Sequence, residues 1–214
     1  LSLVVKLYDK DLAAPTFVED MTKRQENLSF STLLHGGFGI CTFDLVCNLA
    51  EVWEWRTKRF FWRLVVEEAE SGDIIWEGRL EDQEFLKYGI RLTFYGYWRN
   101  LADDIYNNTT SWTAGTHYAD EIIKDMLTIK CPQIAADQSN IASPGRNLVP
   151  IQFDTDKTPM ELVGQLAGYS DASNQAWYFA IWENRIPYFF ARNPSAVDWQ
   201  VWLRDLETFQ LRAS

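Results

Sequence analysis

The 214-residue chain has few of the features that mark membrane or secreted proteins. Its uninterrupted apolar runs are only a few residues long, as at residues 186–191, far short of the ~20 that cross a bilayer, so no membrane span is predicted. Residues 1–8 alternate like a strand and lack the charged-then-apolar order of a secretory signal. The first residue is leucine, so we expect a processed or trimmed chain, or part of a longer polypeptide.

Cysteine is scarce, with only Cys41, Cys47 and Cys131. On one continuous strand Cys41 and Cys47 would lie about 20 Å apart at ~3.3 Å per residue, well beyond the ~7 Å limit between bridged Cα atoms. We therefore expect no disulfide scaffold and interpret the three cysteines as small buried thiols.

Basic residues are outnumbered and scattered: 20 Lys and Arg stand against 30 Asp and Glu, for a net charge of −10. This distribution argues against a phosphate-tracking surface, so direct nucleic-acid binding is not expected. The two histidines, His35 and His117, have no second His or Cys at metal-ligand spacing. No metal site and no cofactor are predicted.

Catalytic motifs are also missing, including G-x-S-x-G, H-E-x-x-H and the Walker loop. Residues 35–39, His-Gly-Gly-Phe-Gly, match a lipase oxyanion loop in three letters only and are predicted to lead into a strand. Asp154 and Asp156 are not followed by the glycine and glutamate of an EF-hand. Pairs such as Glu67 and Glu68 leave a carboxylate-pair glycosidase as a third hypothesis. We expect that the protein is not an enzyme.

What the sequence does contain is a folded, aromatic-rich pattern, with 47% hydrophobic and 15% aromatic residues. Period-two alternation between residues 28 and 97 predicts strands. Residues 63–68 and 74–79 flank a Ser-Gly-Asp turn and predict one hairpin, and a second is predicted to turn at residues 87–89. Because no helix-length crossover separates these strands, residues 1–106 are predicted to form an antiparallel β-barrel or sandwich domain.

Residues 107–214 are predicted to form a smaller α+β domain, which makes the whole chain β-rich α+β. Residues 117–127 carry one apolar face and acids in the first turn, which predicts a helix. Thr158, Pro159 and Glu161 have the spacing of a capping box, which predicts a second helix. Residues 176–182 and 186–190 predict an aromatic hairpin, and residues 198–204 a further strand.

Ten tryptophans allow three interpretations: core residues, anchors of a protein interface, or carbohydrate-stacking platforms. The core interpretation is favoured for most of them. Residues 53–55, Trp-Glu-Trp, are predicted to place the indoles of Trp53 and Trp55 on one strand face. The candidate interface or stacking residues are Trp53, Trp55, Trp177, Trp182 and Tyr188.

Three segments together resemble a known family: Gly-Phe-Gly at residues 37–39, Ile-Trp-Glu-Gly-Arg at residues 75–79, and the run from Gly89 to Asp103. Over residues 28–205 the chain is similar to the tail-hub and baseplate-hub proteins of long-tailed bacteriophages. In that family a β-barrel domain carries a W/V-x-G-R strand and a G-Y/W-x-x-L-x-D corner, and an α+β domain follows.

The resemblance implies a virion structural protein of the tail, assembled in the host cytoplasm as a homo-oligomeric ring that binds the tail tube or neighbouring baseplate proteins. It implies no active site. Gly78 and Gly96 are expected to allow close backbone packing. The alternative is a carbohydrate-binding, receptor-binding module that uses Trp53 and Trp55.

Overall fold

The fold is built on one nine-stranded sheet with helices on part of it, seen in a computed structural model that describes residues 2–10, 15–57, 62–106, 117–134, 136–145, 157–168 and 175–191. The strands are β1 (Leu3–Tyr8), β2 (Phe17–Asp20), β3 (Gln25–Leu33), β4 (Gly36–Val46), β5 (Arg63–Glu68), β6 (Ile74–Leu86), β7 (Gly89–Tyr95), β8 (Trp177–Ile181) and β9 (Pro187–Ala191). The α-helices are α1 (Leu49–Trp55), α2 (Ala119–Lys130) and α3 (Pro159–Gly168), and 3-10 helices span Tyr97–Ala102 and Glu183–Arg185.

The sheet confirms the β-rich α+β class. Its strand order is β2-β1-β5-β6-β7-β4-β8-β9, with β3 paired to β4 outside this path. The pairing therefore follows an open path, where a barrel or sandwich was expected for residues 1–106. Strands β8 and β9 join the sheet through a short parallel contact between β4 and β8. This contact pairs Gly36 with Ala180 and Gly37 with Ile181.

Both predicted hairpins are confirmed. Strand β5 pairs with β6 from Arg63 opposite Arg79 to Glu67 opposite Ile74. Strands β6 and β7 turn at Lys87 and Tyr88, with Leu86 opposite Gly89. Each of these turns joins strands that are close in sequence, so period-two alternation and turn residues are sufficient to locate them.

Two hydrophobic cores divide the described chain. The first core collects the inward residues of β1 and β4–β7, together with Met21 and Trp55. The second core is formed by α2, α3, β8, β9 and the 3-10 helix at Tyr97–Ala102. The change from one core to the other falls between Phe94 and Tyr97. The predicted domain division at residue 106 stays a prediction.

The predicted helices α2 and α3 are confirmed, and in each a first-turn glutamate accepts a hydrogen bond from the N–H of the residue before the helix; in α3 a reciprocal bond completes a capping box. In α3 the Thr158 N–H donates to Glu161 Oε2 at 2.8 Å, and the Glu161 N–H donates to Thr158 Oγ1 at 3.4 Å. In α2 the Tyr118 N–H donates to Glu121 Oε2 at 3.1 Å. These bonds satisfy N–H groups that the first helical turn leaves without partners.

Helix α1 was not predicted, and it corrects the strand expected at residues 53–55. The Asn48 side chain accepts a hydrogen bond from the Glu51 N–H at 3.1 Å, and Glu51 Oε2 accepts one from the Asn48 N–H at 2.9 Å. This capping box starts the helix. Because helical positions two apart differ by about 200° around the axis, the shared face expected for Trp53 and Trp55 is wrong.

The three cysteines are free thiols. Cys41 and Cys131 are buried as expected, whereas Cys47 is half-buried. Burial raises the pKa of Cys41 and of Cys131 to about 12, so both thiols are protonated at neutral pH. The predicted strand at residues 198–204 and the residues Asp154 and Asp156 lie outside the described residues.

Candidate functional site

Strand β4 runs between two ends of the sheet that differ in what covers them. At its first residues, here called the covered end, β4 lies beside β8, and the ring of Trp98 packs over Gly36. The His35 ring lies against Trp98 with centroids 5.2 Å apart, and its Nδ1 accepts a hydrogen bond from the Phe179 N–H at 3.4 Å. The second core is therefore attached at this end.

The two glycines expected to allow close packing lie toward the covered end, and that expectation is confirmed. A β-carbon on Gly96 would lie 1.9 Å from the Phe38 carbonyl oxygen, and one on Gly78 would lie 2.3 Å from the Tyr95 carbonyl oxygen. No side chain fits at either distance without movement of the backbone.

Two further residues of the resembling segments meet in an ion pair. Arg79, almost fully buried, binds the Asp103 carboxylate through both terminal nitrogens, with Nη2 2.8 Å from Oδ1. A bidentate pair of this kind fixes both position and orientation. It attaches β6 to the end of the 3-10 helix at Tyr97–Ala102, where the second core begins.

A buried carboxylate lies between the two cores. Glu77 is fully buried, its Oε1 lies 3.0 Å from Arg63 Nε, and its Oε2 accepts a hydrogen bond from the Asn184 N–H at 2.8 Å. Burial raises the pKa of Glu77, and the Arg63 charge opposes that shift. Asn184 has a φ of 57°, so this bond holds a left-handed residue in the β8–β9 turn.

The opposite end of the sheet, here called the tip end, leaves apolar side chains in solvent. Gly89 lies opposite both Val46 and Leu86, and a β-carbon on it would lie 2.2 Å from the Leu45 carbonyl oxygen. The groove beside it, here called the tip groove, has a volume of about 300 Å³ and is lined by Val46, Leu86 and Tyr88, with Glu26, Asp44 and Lys87 beside them. Val46 is 58% exposed and Tyr88 is 73% exposed.

The row of side chains next to the tip groove carries mainly negative charge. Arg91 Nε donates to Asp44 Oδ1 at 2.8 Å, and Glu84 lies 3.7 Å from the same guanidinium. The Arg91 hydrogen bond lowers the pKa of Asp44, and a bond from the Asn27 side chain acts in the same direction. Glu26 lies opposite Asp44 on β3. The row therefore contains three carboxylates and one guanidinium.

Helix α1 follows the tip end of β4 and separates its two tryptophans. Trp55 is 1% exposed and belongs to the first core. Trp53 is 57% exposed, and the Arg56 guanidinium lies 4.5 Å from its ring centroid. A stacking platform made of both indoles is therefore not formed, and Trp53 alone is accessible.

The other candidate aromatics lie on β8 and β9 and in the turn between them, Trp177 in the second core and Trp182 against the first core. Trp177 is buried, and its ring centroid lies 4.8 Å from that of Phe189. Trp182 is half-buried and packs edge-on against Phe38 at 5.2 Å. Tyr188 is half-buried on β9, and burial raises the pKa of its hydroxyl. The structure therefore does not bring the five candidates together at one site.

Several exposed apolar residues were missed from the sequence. They are Leu33 and Leu34 at the β3–β4 turn, here called the leucine turn, and Val46, Leu86 and Tyr88 at the tip groove. Tyr88 could have been identified, because a side chain in a two-residue hairpin turn extends into solvent. The exposure of Val46 and Leu86 could not have been predicted, because it depends on whether another element packs beyond the ends of β4 and β6.

Among the helices that the structure describes, none combines the length and apolar character needed to cross a bilayer. Within the same ranges, no three His, Cys, Asp or Glu side chains lie together as ligands for a metal ion.

Comparison with known proteins relates this fold to a tail protein. The crystal structure of the 43 kDa tail protein of prophage MuSo2 from Shewanella oneidensis superposes with a TM-score of 0.50 at 14% identity, over 88% of this chain and 53% of that chain. This chain thus spans about half the length of that protein. At this identity the likeness shows the fold alone, and at that level it confirms the resemblance to phage tail proteins. No family model and no curated protein matches the sequence.

Proposed function

We propose that the chain is a structural protein of a phage tail, a subunit of the tail-tip or baseplate hub that assembles as a ring on the tail tube. The observation that carries this proposal is the fold shared with the MuSo2 tail protein over 88% of the chain. The exposed apolar side chains of the tip groove support it, because exposed apolar patches mark surfaces that bind other proteins. The net charge of −10 favours protein partners over nucleic acid.

Immunogold labelling of purified phage particles tests this proposal. An antibody raised against the chain should label the tail tip, and the same antibody adsorbed with purified chain is the control. Mass spectrometry of the particles should detect the chain at a fixed ratio to the tube protein. Absence of the chain from purified particles would overturn the tail proposal.

We also propose that the chain has no catalytic role. The carboxylate pair considered above is occupied structurally, because Glu67 forms an ion pair with Lys6 and Glu68 accepts a hydrogen bond from the Ser71 hydroxyl. Neighbouring residues on a strand also point to opposite faces. Turnover of a glycan substrate that is lost in Glu67→Gln would contradict this proposal.

Carbohydrate binding is the second proposal, supported by the exposed Trp53 ring with Arg56 against it. A glycan array of the wild type and of Trp53→Ala tests it. Binding that disappears in Trp53→Ala supports a receptor-binding module. The matched control is Phe17→Ala, which removes an exposed aromatic side chain of β2 that is not among the candidate residues.

A further inference from the structure

His35 lies where the second core attaches to the sheet. Its half-buried ring packs against Trp98 of the 3-10 helix, with centroids 5.2 Å apart, and against Tyr178 of β8, with centroids 6.5 Å apart. The parallel contact between β4 and β8 begins at the next residue, where Gly36 pairs with Ala180. The imidazole is therefore part of the junction between the two cores.

The Phe179 N–H points at this imidazole and away from β9. Phe179 lies directly opposite Phe189 in the antiparallel β8–β9 pair. Phe189 donates its own N–H to the Asn140 carbonyl oxygen at 3.1 Å, in the segment that flanks β9 on its other side. Opposite residues in an antiparallel pair exchange both backbone hydrogen bonds or neither, so the Phe179 N–H also points away from its partner strand. It donates to His35 Nδ1 at 3.4 Å, one residue before the β4–β8 pairing starts.

This hydrogen bond requires one protonation state of His35. Phe179 is fully buried, so water does not replace the imidazole as the acceptor. An Nδ1 atom accepts a hydrogen bond only when it carries no proton, so the neutral ring must carry its proton on Nε2. A protonated histidine donates from both nitrogens and leaves the Phe179 N–H facing a second donor. Because a buried N–H without an acceptor is costly, protonation of His35 opposes the contact between β4 and β8.

We propose that His35 is a pH-sensitive latch, which holds β8 against the start of β4 at neutral pH and loosens this contact when the imidazole is protonated. Strand β8 pairs with β4 only over Ala180 and Ile181, so the loss of the adjacent bond affects a large part of the contact. The ion pair of Arg79 with Asp103 does not involve His35 and still links the two cores. The opening is therefore local to the covered end.

The surroundings of the ring determine the direction of the pH effect. Burial lowers the pKa of His35, and no charged side chain of the described residues contributes to this shift. From the 3-10 helix Trp98 faces the ring, and the guanidinium of the adjacent Arg99 lies 5.8 Å from the ring centroid of Tyr95. From β8, Tyr178 is the titratable side chain that faces it. Because the folded pKa is lowered, the contribution of His35 is present above its unfolded pKa of ~6.5 and is lost as pH falls through the folded value.

NMR of the histidine rings tests the protonation state that the latch requires. At about pH 7.5 the ¹⁵N–¹H correlations should show His35 with its proton on Nε2 and none on Nδ1. His35 should take up its second proton at a lower pH in the folded protein than in the urea-unfolded chain. The variant His117→Asn assigns the signals of the two rings. A proton on Nδ1 at neutral pH, or protonation at a higher pH in the folded protein, would overturn the proposal.

Hydrogen exchange of the β8 amides measures the loosening itself. The protection of the Phe179 and Ile181 amides, corrected for the intrinsic exchange rate, should fall at least about tenfold between pH 7.5 and 5 in the wild type, relative to the amides of β1. His35→Asn places a carbonyl oxygen near the position of Nδ1 and does not titrate, so its β8 protection should stay within about threefold over the same range. His117→Asn is the matched control and should respond to pH like the wild type.

Two results of the exchange experiment would reject the latch. One is an equal response to pH in the wild type and in His35→Asn, and the other is protection lost equally from β1 and β8, which would indicate acid unfolding of the whole chain. Circular dichroism checks that the variants fold, and His35→Gln replaces His35→Asn if that variant does not. The tautomer of His35 and the exchange of β8 relative to β1 in the wild type decide the proposal without any variant.

Discussion

The covered end and the tip end of the sheet are made by the same strands, β4, β6 and β7, yet they carry different surfaces. At the covered end the backbones approach so closely that Gly78 and Gly96 leave no room for a β-carbon. At the tip end a β-carbon on Gly89 would also lie only 2.2 Å from a carbonyl oxygen, that of Leu45, but the apolar side chains of Val46, Leu86 and Tyr88 beside it are exposed. The same strands therefore contribute a closed junction at one end and an accessible apolar surface at the other.

The difference shows that exposure at the tip end is not incomplete packing of the core. Helix α1 closes the first core there with Trp55, and it directs Trp53 outward. The core is complete beneath the tip end, so the residues that remain exposed are available to a partner. The predictions below test this contrast between the two ends.

The largest effect is expected from the two tryptophans of α1. Trp55→Ala should lower the free energy of unfolding by about 4 kcal/mol, because it removes a buried indole and leaves a cavity. Trp53→Ala, two residues away and exposed, should change it by less than about 0.5 kcal/mol. Urea unfolding followed by circular dichroism measures both. Equal losses would show that the tip end is part of the core.

The second largest effect is expected from substitution of Glu77, the buried carboxylate between the two cores. Glu77→Ala should lower the free energy of unfolding by about 3 kcal/mol, because it removes the carboxylate that pairs with the largely buried Arg63 guanidinium. Glu77→Gln should cost less, since an amide oxygen can still accept the Asn184 N–H.

The pH dependence of this pair follows from the raised pKa of Glu77. A raised pKa in the folded state means that the contribution of Glu77 is greatest below its unfolded pKa of ~4.3 and is lost as pH rises through the folded value. Relative to Glu77→Gln, the wild type should therefore gain stability as pH falls from 7 toward 4.5. Urea unfolding at several pH values measures this difference. The same change of unfolding free energy with pH in both proteins would contradict the buried-carboxylate interpretation.

The close backbone approach at Gly96 should give the third effect. Gly96→Ala should destabilise by about 2 kcal/mol, because the new β-carbon forces β4 and β7 apart near Phe38. Gly164→Ala is the matched control: Gly164 lies within α3 with open space around it, and the change should stabilise by up to about 1 kcal/mol. Thermal melting of both variants measures the contrast.

The smallest effect concerns the exposed ion pair beside the tip groove. Asp44→Asn should cost less than about 1 kcal/mol at pH 7, since Arg91 is half exposed. The lowered pKa of Asp44 means that its contribution is present above ~3.9, the unfolded value, and is lost as pH falls through the folded pKa. The variant should therefore lose less stability than the wild type below about pH 4. If the free energy of unfolding of both proteins falls equally with pH in this range, the Asp44–Arg91 pair does not stabilise the fold.

The elements that could be predicted are those whose signals lie within a few residues. The hairpin at Lys87 and Tyr88 and the α3 capping box at Thr158 and Glu161 were both predicted correctly. Helix α1 was not predicted; Asn48 and Glu51 have capping-box spacing, but the Trp-Glu-Trp alternation at residues 53–55 is also typical of a strand. The hub assignment and the domain division stay predictions.

The sequence by itself determined the β-rich α+β class, most of the element boundaries, the acidic surface and the resemblance to phage tail proteins, because alternation, caps and turns act over short stretches of chain. Only the tertiary structure decided which aromatics are buried, where the second core attaches and which end of the sheet is accessible. The Glu77 bond to Asn184, for example, joins residues 107 positions apart. Such contacts depend on how whole elements pack, and no local pattern of residue types encodes them.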